Sequence, residues 1–281
     1  MDPGAGVLSG PASLEGRVAV VTGATGVLGG AVARGLAEAG AAVAVLGRSP
    51  ERADAFAMEL RRGGADAQAL VADVLDEEQL VLARDVALER WGRIDVLVNA
   101  AGGNIPAATV EEGSFFELST EAFRDVVGLN LDGTLLPVRV LGEAMRAEPF
   151  PEGGRSIVNF SSMAARRAMT RVAGYGAAKA AVDNLTRWLA VELGRASGGR
   201  LRVNAVAPGF FLGAQNRSML VDPDGSPTPR GEAVLARTPA GRFGEPGEVS
   251  DAVVWLAGPA ASFVTGAVIP VDGGFDAFSG I

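Results

Sequence analysis

The chain has 281 residues, is 48% hydrophobic and contains 39 glycines, enough for a large core with closely packed elements. Its formal net charge of −8 argues against a nucleic-acid partner. It has no His and no Cys. That removes disulfides, thiol nucleophiles, the usual general base and the common zinc ligands. No metal site is expected, and acid–base work falls to Tyr, Lys, Asp or Glu.

Residues 1–16 are rich in Gly, Pro and Ser. They lack the basic start and long apolar run of a signal peptide and read as a loose arm. A strand is predicted over 18–21, a helix over 27–39, a strand over 42–46 and a helix over 50–62 with Pro50 in its first turn. A strand over 67–72, a helix over 77–91 and a strand over 94–98 follow. The pattern then predicts one long helix over 120–146, a strand over 156–160 and a helix over 174–196. Strands over 201–206 and 268–271 flank a helix over 246–257. Continuous apolar strands alternating with helices imply an α/β chain with a doubly wound parallel sheet in three layers. No linker divides 17–281, which reads as one domain. The stretch 213–240 departs from the pattern and reads as a lid-like excursion. No apolar run approaches a membrane span, and a cytoplasmic location is expected.

Three local patterns carry chemistry. The first strand runs into Gly23, Thr25, Gly26, Val27, Leu28 and Gly29 and opens directly into a helix. Glycine lets the backbone approach a phosphate, and the helix presents free N–H groups, so a dinucleotide site is expected here. The second strand ends at Gly47-Arg48-Ser49, where an acid would hold ribose hydroxyls. Arg48 and Ser49 suit a 2′-phosphate, favouring NADP over NAD. Asp73, after the third strand, can meet the adenine amino group or cap the next helix. The third pattern is the pairing of the only Tyr with the only Lys, the other 24 basic residues being Arg. Tyr175 and Lys179 are one helical turn apart and share a face. An adjacent ammonium favours the phenolate and is expected to lower the Tyr175 pKa, which suits proton exchange with a hydroxyl or carbonyl.

With these motifs the chain resembles the short-chain dehydrogenase/reductase family from residue 17 to its end. The matching residues are Thr22-Gly23…Gly29, Asn99-Ala100-Ala101-Gly102, Asn130, Ser161-Ser162, Tyr175-x-x-x-Lys179 and Pro208-Gly209. The resemblance implies a Rossmann-like fold, bound NAD or NADP and, usually, a homotetramer. It implies Tyr175 as general acid or base, Lys179 as its pKa modulator and ribose contact, Ser162 as the group polarising the substrate carbonyl, and Asn130 as holder of a water. Val74, Asn99 to Gly102, Pro208, Gly209 and Phe211 would border the cofactor. There are two departures from the family pattern. Val27 stands where a glycine is usual, and Gly213 stands where a nicotinamide-contacting Thr is common.

A narrower resemblance, through Ala101-Gly102-Gly103-Asn104, Pro208 to Leu212, Gln215-Asn216-Arg217 and the closing Val271-Asp272-Gly273-Gly274-Phe275, is to a sugar-acid branch labelled D-mannonate oxidoreductase or fructuronate reductase. A carboxylate-bearing sugar is then the expected substrate. Asn104, Met163, Gln215 and Asn216 would line its pocket, and Arg166, Arg167, Arg171 and Arg217 are the candidates to hold its carboxylate. The alternatives are another alcohol (a gluconate-like polyol, a 3-oxoacyl or a steroid-like substrate) or a non-catalytic dinucleotide-binding regulator.

Overall fold

The computed structural model describes residues 13–111, 114–213 and 216–280. Seven strands form one parallel sheet: β1 (Val18–Thr22), β2 (Ala42–Gly47), β3 (Ala67–Val71), β4 (Val96–Asn99), β5 (Arg155–Phe160), β6 (Leu201–Pro208) and β7 (Val268–Val271). Their order is β3-β2-β1-β4-β5-β6-β7. The winding reverses between β1 and β4, and a parallel α/β sheet binds ligands at the carboxyl ends beside such a reversal.

Alternate strand residues feed two cores, as the two-residue period requires. Val21, Val43, Val45 and Val98 pack beneath α1 (Val27–Glu38), α2 (Pro50–Arg62) and α9 (Pro246–Ala257). Val20, Ala44, Leu46 and Leu97 pack beneath α3 (Glu77–Trp91), α5 (Gly133–Ala144) and α6 (Ala173–Ala196). The predicted doubly wound, three-layer architecture is therefore present. The loose-arm expectation lies outside the described residues except for 13–16, where it is corrected. Leu14 is fully buried in the first core, and its N–H donates to the Ala39 carbonyl at 2.8 Å.

The long helix expected over 120–146 is corrected too. It is α4 (Thr120–Val127), a π turn (Gly128–Asp132) and then α5. The Asn130 amide donates to the Val126 carbonyl at 2.8 Å, and the Thr134 hydroxyl donates to the Asn130 carbonyl at 2.8 Å. Pro137 inside α5 has no N–H to return to the preceding turn. Side chains thus satisfy carbonyls that a regular ladder would have used.

The stretch 213–240 carries two short helices, α7 (Arg217–Leu220) and α8 (Pro229–Leu235). Leu220, Val221 and Val234 form a small apolar cluster of their own with Phe210, Leu212 and Phe243 packed on it. Arg230 of α8 donates to the Thr170 hydroxyl at 3.2 Å, which joins this stretch to the 163–172 segment.

The amino ends of the central strands are held by one carboxylate. Asp95 is fully buried. It accepts from the Val18 N–H at 3.0 Å, from Arg93 at 2.7 Å through both of its oxygens, and from Arg155 at 3.1 Å. Arg155 is itself only 3% exposed. Removing the carboxylate strands a buried guanidinium, which costs about 3–5 kcal/mol. Asp95→Ala should lower the free energy of unfolding in urea by that amount, and a loss below about 1 kcal/mol would mean that the guanidinium does not depend on this carboxylate.

Candidate active site

The carboxyl end of β5 turns sharply into a 3-10 turn (Met163–Ala165) that the Ser162 hydroxyl caps, accepting from the Ala164 N–H at 3.2 Å. The first turn of α6 lies directly on this turn. A Cβ at Gly176 would sit 3.0 Å from the Ala164 carbonyl, and one at Gly174 would sit 3.1 Å from the Phe123 ring. Small residues on either side of Tyr175 therefore let its helix approach, and the Ser162 hydroxyl stands beside the Tyr175 phenol. The Tyr175 ring packs on Ala108, Ala122, Val126 and Ile105.

Lys179, 3% exposed, lies one turn further along α6. Its ammonium donates to the Phe160 carbonyl at 2.8 Å and stands 5.6 Å from the centre of the Tyr175 ring. Burial pulls the Lys179 pKa down to about 8, against the opposing pull of the Asp183 carboxylate. The Tyr175 phenol is pushed up by burial, with the Ser162 hydrogen bond opposing. The expected lowering of the Tyr175 pKa by Lys179 is thus corrected. Desolvation of the phenol dominates, and the ammonium is engaged by a strand-end carbonyl.

Asn130 completes the group. Its Oδ1 accepts from the Gly103 N–H at 3.0 Å and its Nδ2 donates to the Gly103 carbonyl at 2.8 Å, so the π turn is fastened to the segment after β4. A Cβ at Gly102, whose φ is +151°, would lie 2.6 Å from Asn130 Oδ1 and 3.3 Å from the Lys179 ammonium. Only a glycine lets the chain pass between these two groups. Asn130, Ser162, Tyr175 and Lys179 are therefore gathered at one strand-end cluster.

The residues at the β1 and β4 edges fit a dinucleotide. Gly23 adopts φ +64°, and a Cβ there would meet the Ala101 backbone at 2.8 Å. A Cβ at Gly29 would stand 2.3 Å from the Gly23 carbonyl. Helix α1 starts at Gly26 with no side-chain cap and no acidic residue in its first turn, which leaves its leading N–H groups free for phosphate. The Ala101 N–H donates to the Thr22 hydroxyl at 3.1 Å and locks the two edges together. Asn99 donates to Asn159 at 2.9 Å, while its own buried Oδ1 has no protein partner. Ala100 and Leu28 pack against the first core, and the Val74 side chain is buried against Gly133.

At the adenosine end, Arg48 is exposed and 3.7 Å from Asp73, so the two candidates form one ion pair. The Ser49 hydroxyl caps α2 and donates to Glu51 at 2.8 Å. Arg52, which sequence reasoning overlooked, donates to the Thr25 carbonyl at 2.7 Å and braces the phosphate turn. Pro208 ends β6 and Gly209 follows it, where a Cβ would lie 2.7 Å from the Asp272 Cα. Phe211 is buried against Gly244.

The expected substrate residues fare differently. Arg166 and Arg167 are paired with Asp276 at 2.8 and 2.9 Å. Arg171 is paired with Glu111, and its backbone is held at φ +75°, a strained conformation for a side chain of that size. These three guanidiniums already hold carboxylates of the chain itself. Asn216 closes its own turn, accepting from the Gly213 N–H and donating to the Phe211 carbonyl, both at 2.8 Å. Met163 is buried and presents no open face. Gln215 lies outside the described residues. Asn104 donates to Thr109 at 2.9 Å and keeps a buried Oδ1 without a protein partner. Arg217 is exposed and has no ion pair among the described residues. Asp183, at the next turn after Lys179, was also overlooked, although an acid four residues from the only lysine was a visible signal.

Residues 23–276 match the family model described as enoyl-(acyl carrier protein) reductase. The chain belongs to the short-chain dehydrogenase/reductase family. It is accordingly an oxidoreductase that uses NAD or NADP and acts on CH–OH donors. It is 42% identical over 279 residues to the uncharacterized oxidoreductase UxuB of Bacillus subtilis, covering 96% of this chain and 98% of that one. It superposes with a TM-score of 0.87 and 39% identity on a Haemophilus influenzae structure with bound NAD, provisionally described as a D-mannonate oxidoreductase, covering 96% of this chain and 98% of the other. A gluconate 5-dehydrogenase from Burkholderia cenocepacia, in complex with NADP and tartrate, is 33% identical with a TM-score of 0.83, covering 95% and 98% of the two chains.

Against the family pattern, the two departures prove to be neighbours. A Cβ at Gly213 would lie 3.3 Å from Val27 Cγ2. The side chain added on the phosphate turn occupies space next to the position where a side chain is missing. Gly213→Thr should therefore weaken cofactor binding in this background and weaken it less with Val27→Gly. The double-mutant cycle on cofactor Kd should show coupling of about 0.5–3 kcal/mol; strictly additive effects would mean that the contact carries no energy.

Proposed function

We propose that the protein interconverts a secondary alcohol and a ketone of a sugar acid, of the D-mannonate/D-fructuronate type. The observation that carries the reaction type is the Tyr175 phenol beside the Ser162 hydroxyl, with the buried Lys179 one turn away and held by the Phe160 carbonyl. Nicotinamide, when bound, supplies or accepts the hydride. The Tyr175 phenol gives its proton to the developing alkoxide in reduction and takes it back in oxidation. The Ser162 hydroxyl donates to the substrate oxygen and favours its negative charge. Lys179 holds positive charge one helical turn from the phenol and would hold the nicotinamide ribose when the cofactor is bound. Asn130 keeps the Gly102–Gly103 segment beside the ammonium and holds a water that links it to solvent. A redox-sensing regulator needs no proton donor, and this complete arrangement favours the enzyme.

The sugar-acid reading is supported by the likeness to the Haemophilus influenzae protein and to the gluconate 5-dehydrogenase. Asn104 Oδ1 is an acceptor suited to a sugar hydroxyl. Since Arg167 and Arg171 are committed to Asp276 and Glu111, the carboxylate falls to Arg217 on the lid-like stretch. A neutral polyol is the second reading, and the same pairing of Arg167 and Arg171 favours it. For the cofactor we propose NADP, supported by Arg48 at the end of β2. The Glu51 carboxylate on the Ser49 hydroxyl speaks for NAD and makes the preference modest.

Tyr175→Phe should lower kcat by about 10²–10⁴-fold while leaving cofactor Kd unchanged. A variant retaining more than a tenth of wild-type kcat would move the proton to another group. In the same titrations wild type should bind NADP more tightly than NAD, and Arg48→Asp should reverse the order. Across a panel of aldonates, keto acids and matched neutral polyols, Arg217→Ala should cost about ten- to a hundredfold in kcat/KM for the acids alone. Arg167→Ala and Arg171→Ala should treat acids and polyols alike. Equal losses on both substrate types for Arg217→Ala would leave the neutral polyol as the better reading.

A further inference from the structure

Asp183 is 5% exposed and lies one turn beyond Lys179 on the same face of α6. Its Oδ1 accepts a short hydrogen bond from the Ser161 hydroxyl. Ser161 lies between Phe160, whose carbonyl holds the Lys179 ammonium, and Ser162, whose hydroxyl meets Tyr175. The Ser161 N–H donates to the Val206 carbonyl of β6 at 2.8 Å, so Asp183 is joined to the last ordered step of the sheet. Tyr175, Lys179 and Asp183 thus form a row at i, i+4 and i+8, and the segment 160–162 answers it residue by residue. A buried carboxylate that serves only packing is costly beside an apolar alternative. This one accepts from a single hydroxyl donor, on the strand end that also holds Lys179, and lies one turn from Lys179 on the same helix face.

We propose that Asp183 is a positioning residue: through Ser161 it fixes the 160–162 strand end, and its negative charge faces the Lys179 ammonium along α6. The effect on turnover rests on the proton-transfer roles proposed above, whereas the effect on Lys179 does not. The groups that face Asp183 are Lys179 and Arg187 from its own helix, Arg166 from the turn after β5, and the Ser161 hydroxyl. Burial pushes the Asp183 carboxyl up, and Ser161, Arg187, Arg166 and Lys179 pull it down. Lys179 is faced by Asp183, by the Phe160 carbonyl and by the Tyr175 ring. Its ammonium is favoured below a pKa of about 8 and lost as pH rises through it. Without the Asp183 charge, that loss comes at lower pH.

The chain's single lysine makes this directly measurable. Protein labelled with 13C at the lysine Cε carbon has one such signal, and its pH titration needs neither substrate nor cofactor. In wild type the midpoint should lie near about 8, with a second, smaller inflection in the acid range where Asp183 takes up a proton. Asp183→Asn keeps the shape and an acceptor for Ser161. It should move the main midpoint down by about one pH unit and abolish the acid inflection. Ser161→Ala should leave the main midpoint in place, move the acid inflection upward and lower kcat about tenfold on any alcohol the wild type oxidises. An unchanged main midpoint in Asp183→Asn overturns the proposal. Should that variant not fold, the proposal fails if wild type shows no acid inflection, or if Ser161→Ala leaves the inflection unmoved. If the titrations behave as expected while no alcohol is oxidised, the charge coupling stands and the proposed function falls.

Discussion

Asp95 accepts from the first residue of β1, from the arginine before β4 and from the first residue of β5, and so pins the starts of three neighbouring strands. Parallel strands have no tight turns to set their register. Once these starts are fixed, Thr22, Asn99 and Asn159 fall in line at the far ends of the strands. That row ties the edges together. Ala101 bonds to Thr22, Asn99 to Asn159, and Asn159 to Thr186 of α6. Helix α6 is thereby seated against the sheet at the height that brings Lys179 to the Phe160 carbonyl. A network of charge at one end of the strands sets the geometry of the chemistry at the other.

The two functional heads of α6 live under opposite demands. Burial disfavours the charged form of both, raising the phenol and lowering the ammonium. In the roles proposed for them, neutral Tyr175 is the state that donates a proton and protonated Lys179 the state that supports it. Desolvation therefore helps the first and hinders the second. The Phe160 carbonyl and the Asp183 carboxylate are what the fold sets against the hindrance.

Much of the fold was legible because its signals are local. Helices α2, α3 and α9 and strand β7 begin and end where Pro50, Pro246 and the apolar runs place them, although the cap of α3 is Asp76 and not the candidate Asp73, which accepts from the Leu75 N–H instead. Asn130, Ser162, Tyr175 and Lys179 come together as the motif spacing implies. The π turn was not legible, since the regular ladder is broken by an Asn130 amide that also bonds Gly103, on a different part of the chain. The engagement of Arg167 and Arg171 was equally hidden. Their partners, Asp276 and Glu111, are 109 and 60 residues away in sequence. A guanidinium near a site reads as a ligand until the fold shows which carboxylate reaches it first.

The distribution of amines has a chemical consequence. Because Lys179 is the chain's only lysine and is buried beside Tyr175, no side-chain amine faces solvent. Acylating agents and aldehydes that decorate most proteins at random therefore find no lysine on this surface. Its positive charge is carried by guanidiniums, which such reagents leave alone. The one side-chain amine is 3% exposed, donates to the Phe160 carbonyl and lies one turn from Tyr175, so reagents in solvent meet guanidiniums instead.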